Sequence, residues 1–294
     1  MARIRVGNQS SHNWPIYIYA LVVTINIFLA VERTLEVSYS IPTLLPFHKN
    51  DNFTGRDREL AEIYKVLHSI DAATSHRRVM VLHGLGGIGK TQLAIQYAYI
   101  HQKDYTSVWW VNASTTQTLS QGFLGIAQQL LSYHAKKTTG GLKPDNAQIA
   151  AALGLPPDVV DQNGELTTST DITEIVVNAI IGWFAAENNN RWLLIIDNYD
   201  DMSVNIYDFL HPRSSGSILI TSRSRDTRRI GKALEVQEVT QDEALEILRK
   251  SAHMDMASFQ EGIHSSYSDS LRGGIAGIIL SLHTLTCSSI YRTE

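Results

Sequence analysis

The feature that most constrains this chain is a glycine-rich loop at residues 84–91, which reads Gly-Leu-Gly-Gly-Ile-Gly-Lys-Thr. It matches the pattern G-x-x-x-x-G-K-[ST] and follows the apolar run 79–82, so a buried strand is predicted to lead into it. Glycines let the backbone N–H groups turn toward phosphate oxygens, and the next helix directs its positive end at the same anion. In this pattern the lysine reaches the β- and γ-phosphates, and the threonine hydroxyl binds Mg²⁺. The loop therefore predicts a bound nucleoside diphosphate or triphosphate.

Composition and net charge exclude several classes of function for this chain. The 294 residues are enough to bury a core in one large or two modest domains. A net charge of −4 gives no electrostatic basis for nucleic-acid binding, so we expect no nucleic-acid partner. The single cysteine, Cys287, excludes an internal disulfide and a cysteine-based zinc site. This composition and the use of ATP favour a reducing, cytoplasmic location.

The first 45 residues differ from the rest of the chain. Residues 15–31 carry no charge and follow Arg3 and Arg5. This stretch lies at the short limit of a membrane-spanning helix. A membrane anchor with a cytosolic nucleotide-binding domain is therefore the alternative to a cytoplasmic protein. A buried apolar segment, or a stretch outside the native fold, would explain the same pattern.

From residue 53 onward, predicted strands alternate with predicted helices. Thr54 and Asp57 have the spacing of a capping box at the start of the first helix. The predicted strands are 79–83, 107–111, 192–196, 217–221 and 233–239, and the helices after the loop are predicted up to residue 101 and at 123–131, 172–186 and 241–252. Continuous apolar strands indicate a mostly parallel sheet covered on both faces. The predicted fold class is an α/β P-loop NTPase with a five-stranded sheet, followed by a partial helical domain.

A carboxylate ends the third predicted strand. Five apolar residues from Trp192 precede Asp197, and an acidic residue at such a strand end completes Mg²⁺ coordination in P-loop proteins. The next residue is Asn198, which cannot accept a proton as a carboxylate does. We therefore expect hydrolysis to be slow, unless Asp200 or Asp201 serves as the base; each would otherwise be a solvated turn residue.

An arginine follows the fourth predicted strand. Arg223 comes at a strand's carboxyl end, where ligands bind in open α/β sheets. Its guanidinium can contact a γ-phosphate through charge-assisted hydrogen bonds. Arg225, Arg228 and Arg229 follow, but without the interleaved aromatic residues of a nucleic-acid surface.

Taken together, residues 46–252 resemble the NB-ARC nucleotide-binding domain of STAND ATPases, especially the fungal relatives of NOD-like receptors. The matching segments are Phe-Thr-Gly-Arg-Asp at 53–57, the loop at 84–91, Val-Trp-Trp-Val-Asn-Ala at 108–113, the strand and acidic turn at 192–201, and Leu-Ile-Thr-Ser-Arg at 219–223. The first of these has Asp where the family has Glu.

The resemblance implies a set of site residues. Gly55 and Arg56 would lie beside the base and ribose, and Thr91 and Asp197 would bind Mg²⁺. Lys90, Asp197 and Arg223 would be the catalytic or phosphate-sensing residues. The residues expected around ADP or ATP are Gly55, Arg56, Gly84, Leu85, Gly86, Gly87, Ile88, Gly89, Lys90, Thr91 and Gln92.

The sequence departs from the family near its end. The family has a Gly-x-Pro motif in its helical domain, whereas residues 272–280 have the glycines without the proline. We therefore expect three regions: an atypical segment at 1–45, the nucleotide-binding domain at 46–240, and a truncated helical domain at 241–294.

The function that the resemblance implies is an ADP/ATP-binding switch for defence signalling, in which nucleotide exchange controls homo-oligomerisation. It would be at most a slow ATPase. The alternatives are a turnover ATPase, such as a motor or small-molecule kinase, and a truncated remnant without signalling activity.

Overall fold

The computed structural model describes residues 41, 45–69, 77–138, 145–167, 170–186 and 189–251. The apolar segment 15–31 and the glycine-containing stretch 272–280 lie outside these residues. The membrane anchor and the departure at 272–280 therefore stay predictions, as do the three region boundaries. Within the described ranges, no helix has both the length and the apolar character needed to cross a membrane.

Strands and helices alternate through the described ranges, as predicted. The strands are β1 (Arg78–His83), β2 (Ser107–Asn112), β3 (Trp192–Asp197), β4 (Ser217–Ser222) and β5 (Lys232–Glu235). The α-helices are α1 (Asp57–Leu67), α2 (Lys90–His101), α3 (Thr116–Thr138), α4 (Asn146–Ala152), α5 (Thr170–Phe184) and α6 (Gln241–Ser251). Short 3₁₀ helices span Gln102–Asp104, Pro157–Val159, Ile206–Phe209 and Arg225–Arg229.

The five strands form one parallel sheet in the order β2-β3-β4-β1-β5. This confirms the predicted α/β fold class. Because β4 lies between β1 and β3, its register pairs Thr221 with Leu82 on one side and Ile220 with Ile196 on the other. The carboxyl ends of the three central strands therefore meet at one edge, which is where open α/β sheets bind ligands.

Helices cover both faces of the sheet. Leu67 of α1 and Leu93 of α2 pack in one buried cluster with Val108 of β2. Successive strand residues point to opposite faces. The next residue, Trp109, accordingly meets Trp183 of α5 on the other face, edge to face with ring centroids 6.0 Å apart. Burial on both faces explains why the central strands are continuously apolar.

Two helix starts differ from the sequence-based predictions. The prediction of a capping box at Thr54 is wrong. Arg56 occupies the N-cap position with φ 65°, and the Thr54 hydroxyl donates a hydrogen bond to the Asn52 carbonyl instead. The cause lies far along the chain, where the Glu243 carboxylate accepts from the Arg56 N–H at 3.2 Å. The helix predicted at 123–131 extends over Thr116–Thr138, and the Thr115 hydroxyl accepts from the Thr118 N–H near its start.

Gly216, directly before β4, provides a test of the packing. An added Cβ there would collide with the indole ring of the buried Trp192. We expect Gly216→Ala to lower the free energy of unfolding by about 1–3 kcal/mol, the usual cost of overpacking a core. The matched control is Gly125→Ala on the exposed side of α3, where the new methyl group meets nothing within 4 Å.

Urea unfolding curves of both variants provide the measurement. The control should be neutral or more stable than the wild type by up to about 1 kcal/mol, since alanine is the better helix former. Equal stability of the two variants would contradict the described packing of β4 on Trp192.

Candidate functional site

The loop after β1 has the geometry that its sequence predicts. Residues 84–89 connect β1 to α2, and Lys90 and Thr91 form the first turn of that helix. Gly87 and Gly89 have φ values of 76° and 97°, which glycine adopts without the cost that a Cβ would bring. The loop can therefore curl in front of the positive end of α2, an arrangement suited to an anion.

Lys90 is held against the loop. Its Nζ donates to the carbonyl oxygens of Gly84 at 3.0 Å and Leu85 at 2.8 Å, and the residue is buried. Burial lowers the pKa of Lys90 below its usual value, and the carboxylates of Asp200 and Asp197 oppose this shift. The ammonium group is thus positioned by carbonyl dipoles at the entrance of the loop.

Asp197 ends β3 and is buried, with 3% of its surface exposed. Its Oδ1 accepts hydrogen bonds from the Thr91 hydroxyl at 2.9 Å and from the Thr221 hydroxyl at 2.6 Å. Hydrogen bonds to a carboxylate are stronger than those between neutral groups, and they offset the cost of burying the charge. The structure thus brings together the two residues that the sequence predicts as Mg²⁺ ligands.

The oxygen atoms at this point fit Mg²⁺. Magnesium prefers carboxylate, hydroxyl, water and phosphate oxygens, and it is usually bound by one or two protein ligands plus substrate phosphates. One carboxylate from Asp197 and one hydroxyl from Thr91 match that requirement. These two residues would hold the ion, and the ion would neutralise phosphate charge when bound.

The turn after β3 is fastened to the end of β4. Thr221 accepts from the Asn198 N–H through its hydroxyl at 3.0 Å and from the Tyr199 N–H through its carbonyl at 3.0 Å. The Ser222 hydroxyl donates to the Tyr199 carbonyl at 2.6 Å. Sequence reasoning missed Thr221 and Ser222. The available signal was a pair of hydroxyl residues directly after the apolar run 218–220.

Arg223 extends from the end of β4 toward the loop. Its backbone N–H donates to the Asp200 carboxylate at 2.6 Å, and its Nε lies 3.2 Å from the other oxygen of that carboxylate. The guanidinium carbon would be 3.5 Å from a Cβ added to Gly86. Arg223 therefore lies beside the phosphate loop, as its position at the strand end suggests.

These groups line a cleft of about 240 Å³. Its lining consists of Gly86, Gly87, Gly89, Lys90, Thr91, Gln92, Asn198, Asp200, Thr221, Ser222 and Arg223. Most of the site residues predicted from the loop are therefore brought together with Arg223, and Asp197 reaches the cleft through Thr91. Three predicted residues of the loop do not line this cleft: Gly84, Leu85 and Ile88.

Arg56 contacts the loop segment, whereas Gly55 lies next to the Glu243 side chain. The Arg56 guanidinium is buried and donates to the Ile88 carbonyl at 3.3 Å, the Gln237 carbonyl at 2.7 Å and Glu59 at 2.7 Å. It thus ties the segment before α1 to the loop and to the chain after β5. Its predicted place beside the base and ribose, and that of Gly55, stay predictions.

Two solved structures show weak similarity. Cdc6p from Pyrobaculum aerophilum has a TM-score of 0.39 and 13% identity, covering 69% of this chain and 51% of that one. The Drosophila ORC bound to DNA has a TM-score of 0.41 and 14% identity, covering 72% of this chain and 49% of that one. Both similarities are too weak to carry an argument about function.

Sequence comparisons are more informative. A nucleotide-binding leucine-rich repeat (NLR)-like protein of Hyaloscypha variabilis is 24% identical over 227 residues, or 70% of this chain. The chain spans 19% of that relative's length. The AAA ATPase domain family matches residues 52–220, more than half of the chain. The similarity to the NLR-like protein supports the predicted NB-ARC/STAND-like P-loop ATPase, and the family match shows that the chain belongs to the AAA ATPase domain family.

Proposed function

We propose that this P-loop ATPase is a nucleotide-dependent switch that binds ADP or ATP with Mg²⁺ and hydrolyses ATP slowly or not at all. Exchange of ADP for ATP opens the protein and drives homo-oligomerisation and defence signalling, in the cytoplasm where ATP is available. The observation that carries the proposal is the place of Arg223, whose guanidinium lies beside Gly86 in the same cleft as Lys90. A cation there can distinguish a third phosphate from two.

The residue after Asp197 supports slow hydrolysis. Asn198 lines the cleft at the position where a carboxylate could activate water, and an amide cannot accept that proton. Asp200 is the nearby carboxylate in the cleft lining, but the hydrogen bond that it accepts from the Arg223 backbone N–H at 2.6 Å holds it against the end of β4. The Asp201 carboxylate accepts from the Ser203 N–H at 2.8 Å, which is a turn-forming role.

The binding energy of the third phosphate at this cleft is too small to drive a complete conformational switch. Converting a population of about 1:99 to 99:1 requires roughly 5.5 kcal/mol of differential binding energy. One hydrogen bond between Arg223 and a γ-phosphate contributes about 1.5–3 kcal/mol. The remainder must come from rearrangement of domains around the nucleotide. We therefore assign the sensing of the third phosphate to Arg223.

Substitution of the loop lysine tests nucleotide binding itself. We expect Lys90→Ala to lose the nucleotide that co-purifies with the wild-type chain, because no other side chain in the loop carries a positive charge. Mass spectrometry of heat-released nucleotide from equal amounts of protein provides the measurement. The control is Lys65→Ala, at an exposed position in the last turn of α1. Unchanged nucleotide content in Lys90→Ala would contradict the proposal.

Substitution of Arg223 tests sensing. We expect Arg223→Gln to weaken ATP binding by about tenfold, as for the loss of a hydrogen bond to a charged group, and to change ADP binding by less than about twofold. Isothermal titration calorimetry with both nucleotides and Mg²⁺ measures this. The matched control is Arg225→Gln, since Arg225 is equally exposed but pairs with Glu235 at 3.2 Å.

Equal losses for both nucleotides in Arg223→Gln would show that Arg223 does not read the third phosphate. A turnover number above about 1 per second for the wild-type chain would instead favour a turnover ATPase, such as a motor or small-molecule kinase.

A further inference from the structure

Asp200 forms an ion pair with Arg223 beside the phosphate loop. One of its carboxylate oxygens accepts from the Arg223 backbone N–H at 2.6 Å, and the other lies 3.2 Å from the Arg223 Nε. Both charged side chains are accessible, with exposed fractions of 35% for Asp200 and 68% for Arg223. Such a pair is weak and can be exchanged for another partner of Arg223.

The same carboxylate lies in the cleft that the phosphate loop lines. Asp200 lines the cleft together with Lys90 and Arg223. A negative charge there repels a further phosphate that enters between Lys90 and Arg223.

The turn that carries Asp200 is hydrogen-bonded to the end of β4. Its neighbours Asn198 and Tyr199 are hydrogen-bonded to Thr221, and the Ser222 hydroxyl holds the Tyr199 carbonyl. The Asp200 N–H donates to the Asn198 carbonyl at 2.9 Å. The carboxylate therefore keeps its place at the end of β4, and Arg223 is the member of the pair that can turn away.

Resting on the proposed function, we infer that Asp200 is a specificity-determining residue that makes the cleft favour ADP over ATP. A diphosphate held by the loop and Lys90 leaves the Asp200–Arg223 pair intact. A triphosphate must draw the Arg223 guanidinium away from Asp200 and then lie near a carboxylate that has lost its cation and keeps only the backbone N–H of Arg223. Both effects act on the third phosphate alone, so Asp200 sets the threshold at which ATP replaces ADP.

A structural role alone is the competing explanation, because Asp200 also accepts from the Arg223 backbone. Asp200→Asn separates the two roles: the amide oxygen still accepts from that N–H, while the negative charge is removed. We expect this variant to bind ATP about three- to fivefold more tightly than the wild type, the upper part of the range for an exposed charge pair, and ADP within about 1.5-fold. Calorimetric titration with each nucleotide and Mg²⁺ provides the measurement.

Asp201→Asn is the matched control, since it removes an adjacent carboxylate that caps its own turn at Ser203. Its ratio of ATP to ADP affinity should equal that of the wild type. In an Arg223→Gln background, Asp200→Asn should improve ATP binding by less than in the wild type, because part of the effect acts through Arg223. Circular dichroism and thermal unfolding confirm that each variant is folded, and Asp200→Ser replaces Asp200→Asn if the latter is not.

The outcomes separate the two hypotheses. A wild-type chain that binds neither nucleotide overturns the proposed function, whatever Asp200 does. A wild-type chain that binds both, with an unchanged ATP to ADP ratio in Asp200→Asn, overturns the specificity role alone. An equal change in ratio for Asp201→Asn also overturns it, because the effect would then be one of general charge.

Discussion

The site depends on the hydrogen-bond donors that compensate the charge of one buried carboxylate, that of Asp197. Asp197 lies at the end of a strand that is covered on both faces, so its charge must be matched by donors from neighbouring elements. The strand order supplies them, because β4 separates β3 from β1 and brings Thr221 to one carboxylate oxygen while α2 brings Thr91 to the same atom. The loop, the end of β3 and the end of β4 are thereby held in one fixed arrangement.

The charges around that arrangement explain how one cleft can respond to a third phosphate. Lys90, Arg223 and Asp200 line the cleft and the Asp197 carboxylate lies behind Thr91, so two positive and two negative groups surround the place of the nucleotide. Lys90 is fixed by loop carbonyls, but Arg223 is largely exposed and is held by one carboxylate. A cleft with one fixed and one exchangeable cation is suited to distinguishing phosphate number, which a uniformly positive cleft would do poorly.

Local patterns in the sequence were sufficient for the loop, the strands and the fold class, because glycine spacing and apolar runs report directly on backbone geometry and burial. They also identified Asp197 and Arg223 from their positions at strand ends. They could not give the strand order, which depends on long-range packing, and so the role of Thr221 as a second hydrogen-bond donor to Asp197 was missed. The capping box predicted at Thr54 failed for the same reason, since Glu243, far along the chain, supplies the acceptor to Arg56.

The central claim is that Thr91 and Asp197 together bind the divalent cation of a nucleotide complex. Its most direct test is the affinity for ATP measured with Mg²⁺ and with EDTA, in the wild-type chain and in Asp197→Asn. This variant keeps an acceptor for both threonine hydroxyls and removes the charge. We expect Mg²⁺ to tighten ATP binding to the wild type by about tenfold, equivalent to about 1.4 kcal/mol, and to have little effect on the variant. Equal affinities with and without Mg²⁺ in the wild type, or a full Mg²⁺ effect in Asp197→Asn, would contradict the account.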